Sequence, residues 1–122
     1  MEIYVGHSSS IDYKSSLYQP LKDSKLYEEH NLVFPHEDSE GIFDSKTFLR
    51  EECDLMIGEV SEPSTGLGIE LGWADMYDVP VICIYQESAD PSSSLSAVTD
   101  TVVSYEGEGE LVEILSELVE NV

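Results

Sequence analysis

The sequence predicts a single α/β domain, in which a parallel five-stranded sheet of the flavodoxin or Rossmann type carries helices on both faces. Two apolar segments, residues 53–60 and 79–85, flank a helical stretch, and this order is typical of a βαβ unit. The 122 residues suit one domain, residues 1–122, with its own core. Hydrophobic residues make up 41% of the chain in regular blocks, which argues against disorder.

The N-terminal half predicts two strands and two helical regions. Residues 2–5 predict the first strand, and a Ser-rich loop follows it. A helical stretch then extends to about residue 29, bent or divided by Pro20. Residues 32–34 predict a short second strand. We interpret the polar loop from Asp38 to Gly41 as a mobile flap, and a helix over residues 44–52 leads into the third strand.

The C-terminal half completes the alternation. The helix after the third strand ends near Asp78, and residues 101–105 predict the fifth strand. The last helix is amphipathic, with acids opposite an apolar stripe formed by Leu111, Ile114, Leu115, Leu118, Val119 and Val122. Ligands of such sheets bind beyond the carboxyl ends of the strands, where the loops holding Ser8, His36 and Ser64 would meet.

The charge balance excludes several classes of partner. The chain has 26 acidic and 5 basic residues and a formal charge of −21. Nucleic acids and anionic membranes both attract basic surfaces, so we expect neither as a partner. Three interpretations of the acidity stay open: a high-salt cytoplasm, an ordinary acidic cytosolic protein, or a mimic of DNA.

Cysteine usage and hydropathy predict a cytoplasmic protein without a metal. Cys53 and Cys83 both fall on apolar strand segments, and no cluster has the spacing of a zinc site. No histidine pair shares ligand spacing on one helix, so we expect no metal and no cofactor. The chain shows no signal peptide and no long apolar run, which favours a reducing cytoplasm.

The most informative stretch runs from Pro63 to Gly72, with the sequence PSTGLGIELG. Its small residues allow a ligand to approach the backbone and leave the first amides of a helix free for an anion. Glu70 lies one turn into that helix. A carboxylate in this apolar, glycine-lined setting is a candidate nucleophile or proton carrier, although a solvated Glu in an ordinary turn fits the spacing as well.

This stretch, with CDLMIGEVSE before it and ELGWA at its end, resembles the signature of the nucleoside 2-deoxyribosyltransferase superfamily. The similarity is greatest to the branch of 2'-deoxynucleoside 5'-monophosphate N-glycosidases. The first strand and its loop, IYVGHS, resemble the corresponding family segment. The resemblance implies that a glutamate attacks the anomeric carbon, forms a glycosyl-enzyme intermediate and is released by water or by a free base.

The resemblance also implies roles for individual residues. Glu70 matches the nucleophile, and Tyr4 matches a first-strand tyrosine close to it. Ser64 matches the serine that holds the 5'-phosphate in the nucleotide hydrolases. Ser96 matches a phosphate-site serine that the neighbouring subunit contributes, which implies a homodimer or a higher even oligomer. The remaining substrate-binding positions expected are Gly6, Ser8, His36, Gly66 and Gly68.

Two positions depart from the family pattern. The family carries a proton-transfer Asp where this chain has Lys46, and Asp44 lies two residues out of register. The nucleotide hydrolases carry an Arg where this chain has Ser10. Despite these departures, the resemblance predicts cleavage or transfer of the N-glycosidic bond of a 2'-deoxynucleoside or its 5'-monophosphate. A non-catalytic nucleotide-binding module and an acidic interaction protein remain as alternatives.

Overall fold

The computed structural model describes residues 1–37 and 43–122, so the flap expected at Asp38 to Gly41 lies outside the described residues. Within them one parallel sheet has the strand order β2-β1-β3-β4-β5. Its strands are β1 Glu2–His7, β2 Asn31–Val33, β3 Leu55–Glu59, β4 Val81–Gln86 and β5 Val102–Tyr105. The parallel α/β architecture predicted from the sequence is confirmed.

Helices connect the strands at the places that the sequence predicts. They are α1 Gln19–Lys22, α2 Lys25–Glu29, α3 Ser45–Glu51, α4 Thr65–Met76 and α5 Gly107–Glu120, with a 3₁₀ turn at Ser93–Ala97. The first helical region is more divided than expected, because a π-helical turn at Lys14–Tyr18 precedes Pro20. It breaks again at Ser24, whose hydroxyl donates to the carbonyl oxygen of Leu21 at 2.6 Å.

The two faces of the sheet pack against different helices, as side-chain alternation along a strand requires. On one face Ile3 and Val5 join Leu111 and Leu115 of α5 in a buried cluster. On the other face Tyr4 joins a second cluster with residues of α3 and α4. The prediction of helices on both faces is confirmed, and Tyr4 is thereby directed toward α4.

The contact between β1 and α4 depends on Gly6. A Cβ atom at this position would lie 2.8 Å from Cε of Met56 and 3.0 Å from Cδ1 of Leu67. Both distances are too short for a comfortable methyl contact, so a glycine allows Leu67 and the start of α4 to lie close to the strand. This close approach brings the first turns of α4 beside the carboxyl end of β1.

Helix α4 has a defined start and end. Ser64 caps its first turn, with Oγ accepting a hydrogen bond from the Leu67 amide at 3.3 Å. After the helix, Asp78 adopts a left-handed conformation with φ of 59°, and the Val79 amide donates to the carbonyl oxygen of Ala74 at 2.8 Å. The helix therefore ends where the sequence predicts, and its start is fixed next to Glu70.

Candidate active site

A cavity of about 400 Å³ opens at the carboxyl ends of β1 and β2, against the start of α4. Parallel α/β sheets bind ligands at this edge. The residues that line the cavity are Tyr4, His7, Ser9, Pro35, His36, Phe43, Ser45, Ser64, Gly66, Leu67 and Glu70. Five of the residues that the sequence predicted for the site, Tyr4, His36, Ser64, Gly66 and Glu70, are among them.

Tyr4 and Glu70 form the central polar contact of this cavity. The Tyr4 hydroxyl donates a hydrogen bond to Oε2 of Glu70 at 2.5 Å, across 66 positions of sequence. The Tyr4 ring is buried and packs against Phe43 and Phe48, with ring centroids 5.9 and 6.1 Å away. A rigid aromatic side chain therefore holds one oxygen of a half-buried carboxylate in place.

The electrostatics of the pair make Tyr4 a donor. Burial, together with the negative charge and the hydrogen bond of Glu70, raises the pKa of Tyr4 well above its usual value, and the nearby Ser45 hydroxyl offsets only part of the rise. Tyr4 thus keeps its proton at neutral pH. Among residues 1–37 and 43–122, Oε1 of Glu70 accepts no hydrogen bond, so this oxygen is available to a ligand.

A second polar group lies at the back of the cavity, around His7. Its Nδ1 lies 2.9 Å from the carbonyl oxygen of Ser8, which can only accept, so Nδ1 carries a proton. Burial lowers the pKa of His7, so the ring is neutral and Nε2 is an acceptor. The Tyr18 hydroxyl, 2.6 Å away, therefore donates to Nε2, and its oxygen in turn accepts the backbone amide of His36 at 3.1 Å.

The aromatic rings around this network keep His36 at the cavity. The His36 ring centroid lies 5.3 Å from that of His7 and 5.4 Å from that of Tyr13. Because its backbone is bonded to Tyr18, the exposed His36 imidazole is presented to the cavity without being buried in it. The network thus connects the π-helical turn, strand β1 and the loop that follows β2.

Four of the predicted substrate-binding residues lie outside the cavity lining. Ser8 is buried, and its Oγ accepts from the Ser10 amide at 3.1 Å, whereas the neighbouring Ser9 lines the cavity. Gly6 contacts the core as described above. Gly68 lines a separate groove of about 300 Å³ that Ser64 also borders. Ser96 is exposed in the 3₁₀ turn, where its hydroxyl donates to the Ser93 carbonyl oxygen at 2.9 Å.

Lys46 stands at the position of the expected proton-transfer Asp and Asp44 lies near it, and both contact residues outside the cavity lining. Asp44 caps α3, accepting from the Thr47 amide at 3.2 Å and from its hydroxyl at 2.8 Å. These two hydrogen bonds lower the pKa of Asp44. Lys46 lies over the Trp73 ring, with Nζ 5.6 Å from the centroid. Neither residue lines the cavity, whereas His7 and His36 do.

Sequence reasoning missed three residues around the cavity. Ser9 and Ser45 line it and Tyr18 organises its back wall. Serines in loops carry no distinctive signal, and Ser45 is placed only by the docking of α3. Tyr18 contacts His7 and His36 from the end of a π-helical turn, and local periodicity in the sequence does not reveal such a turn.

The described part of the chain contains neither a candidate metal site nor a candidate membrane-spanning helix. In residues 1–37 and 43–122, no group of three or more potential ligand side chains could hold a metal ion. Over the same ranges, no helix has the length and apolarity needed to cross a bilayer. The expectations of a cytoplasmic location and of no cofactor stay predictions.

Comparison with known proteins gives relatives of one kind. No family model matches the chain. A protein of Syntrophotalea carbinolica, named as a candidate 2'-deoxynucleoside 5'-phosphate N-hydrolase, is 29% identical over 79 residues, which are 62% of this chain and 56% of the relative. A Methanosarcina mazei protein of the same name is 34% identical over 58% of this chain and 46% of the relative. The chain thus matches about half the length of these curated relatives.

Two further similarities agree with this group. A 5-hydroxymethyl-dUMP N-hydrolase of Branchiostoma floridae is 38% identical over 39% of this chain and 44% of its own length. A solved structure of a CMP N-glycosidase from Clostridium botulinum superposes with a TM-score of 0.66 at 19% identity, covering 95% of this chain and 99% of that one. Its fold is the same as the one seen here. Together the similarities support the resemblance to the nucleoside 2-deoxyribosyltransferase superfamily, in its N-glycosidase branch.

Proposed function

We propose that this chain is an enzyme that cleaves the N-glycosidic bond of a nucleoside 5'-monophosphate, with Glu70 as the nucleophile. The observation that carries the proposal is the Tyr4–Glu70 pair, in which one carboxylate oxygen is held at 2.5 Å and faces a cavity of about 400 Å³. A fixed carboxylate with a second oxygen free suits nucleophilic attack on a sugar carbon. The names of the similar proteins agree with this type of reaction.

The proposed reaction has two steps. Glu70 forms a bond to C1' of the sugar while the bond from C1' to the base nitrogen breaks, and the electron pair leaves with the base. The base takes a proton from His36 or from water, since these are the proton donors that the mouth of the cavity offers. Water then attacks C1' while the bond from C1' to Glu70 breaks, and the proton of the water passes to the group that protonated the base, which is His36 or a solvent water.

The Tyr4 hydroxyl has a defined part in both steps. Its hydrogen bond orients the Glu70 carboxylate before attack, so less of the binding energy is needed to align the reacting atoms. When the carboxylate is re-formed in the second step, the same hydroxyl stabilises its returning charge. Because Tyr4 stays protonated, this contribution is constant around neutral pH.

A 5'-phosphate is the group that the start of α4 would bind. The first backbone hydrogen bond of this helix runs from the Gly68 amide to the Ser64 carbonyl oxygen at 3.0 Å, which leaves the earlier amides of Thr65 and Gly66 as donors. Ser64 and Ser9 add hydroxyls at the cavity. No Lys or Arg side chain is among the described lining residues, so the phosphate would be held by neutral donors.

A non-catalytic nucleotide-binding module is the second candidate function. It is favoured by one observation, namely that Asp44 and Lys46 are both turned to other partners and supply no acid to the cavity. Such a module would bind nucleotides through the same helix start and would release no base. The base-release assay below separates the two candidates.

We also propose that the working unit is a homodimer formed through α4. Two apolar side chains at helical spacing, Ile69 and Met76, are exposed on this helix, and Trp73 between them is half-buried against the core. Ile69 is 48% exposed and Met76 is 73% exposed, so both offer apolar surface to a partner. A symmetric partner covering this surface could place its Ser96 near the neighbouring cavity.

The function is tested by incubating the protein with each common nucleoside and 2'-deoxynucleoside 5'-monophosphate and measuring free base by chromatography. We expect base release from at least one substrate, and its loss in Glu70→Ala. Asp75→Ala is the matched control, because it removes an exposed carboxylate from the same helix. Addition of a second free base distinguishes hydrolysis from transfer. Nucleotide binding without base release would support the non-catalytic module.

A further inference from the structure

Strand β3 ends in a buried carboxylate, Glu59, that takes no part in the proposed reaction. Glu59 has no exposed surface, and it pairs in register with His7 of β1, whose ring lines the cavity. Buried carboxylates are expensive unless they are fully hydrogen-bonded. The two described ion pairs, Lys22–Glu37 and Arg50–Glu51, lie elsewhere, so hydrogen bonds must compensate Glu59.

Three hydrogens are donated to the two oxygens of Glu59. The Ser61 amide donates to Oε1 at 2.6 Å, and the Ser61 hydroxyl donates to Oε2 at 3.0 Å. The Tyr105 hydroxyl also donates to Oε2, in a short hydrogen bond. Charge-assisted bonds of this kind are stronger than bonds between neutral groups. Burial and the neighbouring Glu59 raise the pKa of Tyr105, so the tyrosine remains a donor.

This network joins three separate elements at the ligand-binding edge of the sheet. Ser61 belongs to the loop between β3 and α4, and its Oγ accepts the Gln86 amide from the end of β4 at 2.8 Å. Tyr105 is the last residue of β5. Glu59 therefore ties the loop to two neighbouring strands from the side of the sheet opposite α4.

The tied loop is the one that forms the proposed phosphate site. Ser64, which caps α4 and lines the cavity, lies only three positions after Ser61. Pro63 stands between them and restricts the backbone further, because its φ angle is fixed. Fixing Ser61 thus limits where Ser64 and the first amides of α4 can lie.

We propose that Glu59 is a positioning residue that holds the β3–α4 loop through Ser61, with Tyr105 holding Glu59, so that the loop is preorganised for a sugar phosphate. The inference rests on the proposed function for the identity of the ligand. Its physical content is independent of catalysis: loss of the network loosens residues 60–67 and weakens binding of the phosphate group. Glu59 itself touches no reacting atom.

The test uses Glu59→Gln, Tyr105→Phe and the double variant, with Tyr85→Phe as the matched control on β4. Hydrogen exchange of the segment 60–67 should accelerate about 10-fold in each single variant, as expected for the loss of a charged hydrogen bond. The double variant should show less than the sum of the two effects, because both changes act on one network. Tyr85→Phe should leave exchange in this segment unchanged.

The second measurement is binding of 2-deoxyribose 5-phosphate and of 2-deoxyribose by calorimetry, which needs no turnover. We expect each single variant to weaken binding of the phosphate about 10-fold and to leave binding of the unphosphorylated sugar within about 2-fold. On any nucleotide that the wild type cleaves, KM should rise more than kcat falls. Equal weakening for both sugars, or unchanged exchange in residues 60–67, would overturn the inference. Wild-type protein that releases no base would count only against the proposed reaction.

Discussion

The hydrogen bond between Tyr4 and Glu70 can be removed with little disturbance of the fold. Tyr4→Phe keeps the ring that packs against Phe43 and Phe48 and deletes only the hydroxyl that lies 2.5 Å from Oε2 of Glu70. Glu70 is half-buried, so water can replace the lost donor in the folded protein. The free energy of unfolding should therefore change by less than about 1 kcal/mol.

The effect on catalysis should be much larger. A hydrogen bond to a charged group is worth about 1.5–3 kcal/mol. If this bond aligns Glu70 in the transition state, its loss should lower kcat by about 10-fold to 150-fold. The KM should change little, because the hydroxyl contacts the nucleophile rather than the phosphate site.

The assay is steady-state base release by the wild type, Tyr4→Phe and the control Tyr85→Phe, accompanied by thermal unfolding of each. Tyr85 lies on β4 outside the cavity lining, so its variant should keep full activity. A Tyr4→Phe enzyme with the kcat of the wild type would refute the assigned role of this contact. A variant that loses activity and stability in parallel would assign the hydroxyl to the fold rather than to the reaction.

Three further predictions concern pH, salt and assembly. Burial lowers the pKa of His7 in the folded state, so the unfolded chain binds the extra proton first as the pH falls. The free energy of unfolding should therefore decrease as the pH drops below about 6.5, and the Tm of the wild type and of His7→Gln should diverge there. Tyr18 and His36 are titratable groups that contact the His7 ring. At a formal charge of −21, screening of the repulsion between carboxylates should raise Tm between 0.1 and about 1 M KCl, because the Debye length falls from about 10 to about 3 Å. A Tm that does not change with salt would contradict a halophilic origin. Met76→Asp should convert a dimer to a monomer in light scattering, and an unchanged mass would exclude α4 as the interface.

The sequence was most informative where a pattern reflects backbone geometry. The alternation of apolar segments and helices predicts the parallel sheet, because buried strands and amphipathic helices have different periods. The carboxyl-edge rule then brings Ser64 and His36 to one cavity, and the resemblance to known glycosidases selects Glu70 and Tyr4. These predictions depend on main-chain topology and on motif position, and both are encoded locally.

The positions that sequence reasoning left open depend on tertiary contacts. Asp44 looks close enough to replace a missing acid, yet the helix cap that it forms with Thr47 directs its carboxylate away from the cavity. Ser8 and Ser9 are equivalent in composition, and only the turn formed with Ser10 decides which one is buried. Hydrogen-bond competition at single loop residues leaves no periodic trace in a sequence.

The most direct test of the central claim is detection of the glycosyl-enzyme. Wild-type protein and Glu70→Gln would be mixed with a cleaved 5'-monophosphate, quenched rapidly in acid, and digested for mass spectrometry. A sugar phosphate attached to the peptide containing Glu70 in the wild type, and absent from Glu70→Gln, is the predicted result. Base release that persists in Glu70→Gln, or an adduct on a different residue, would contradict the account.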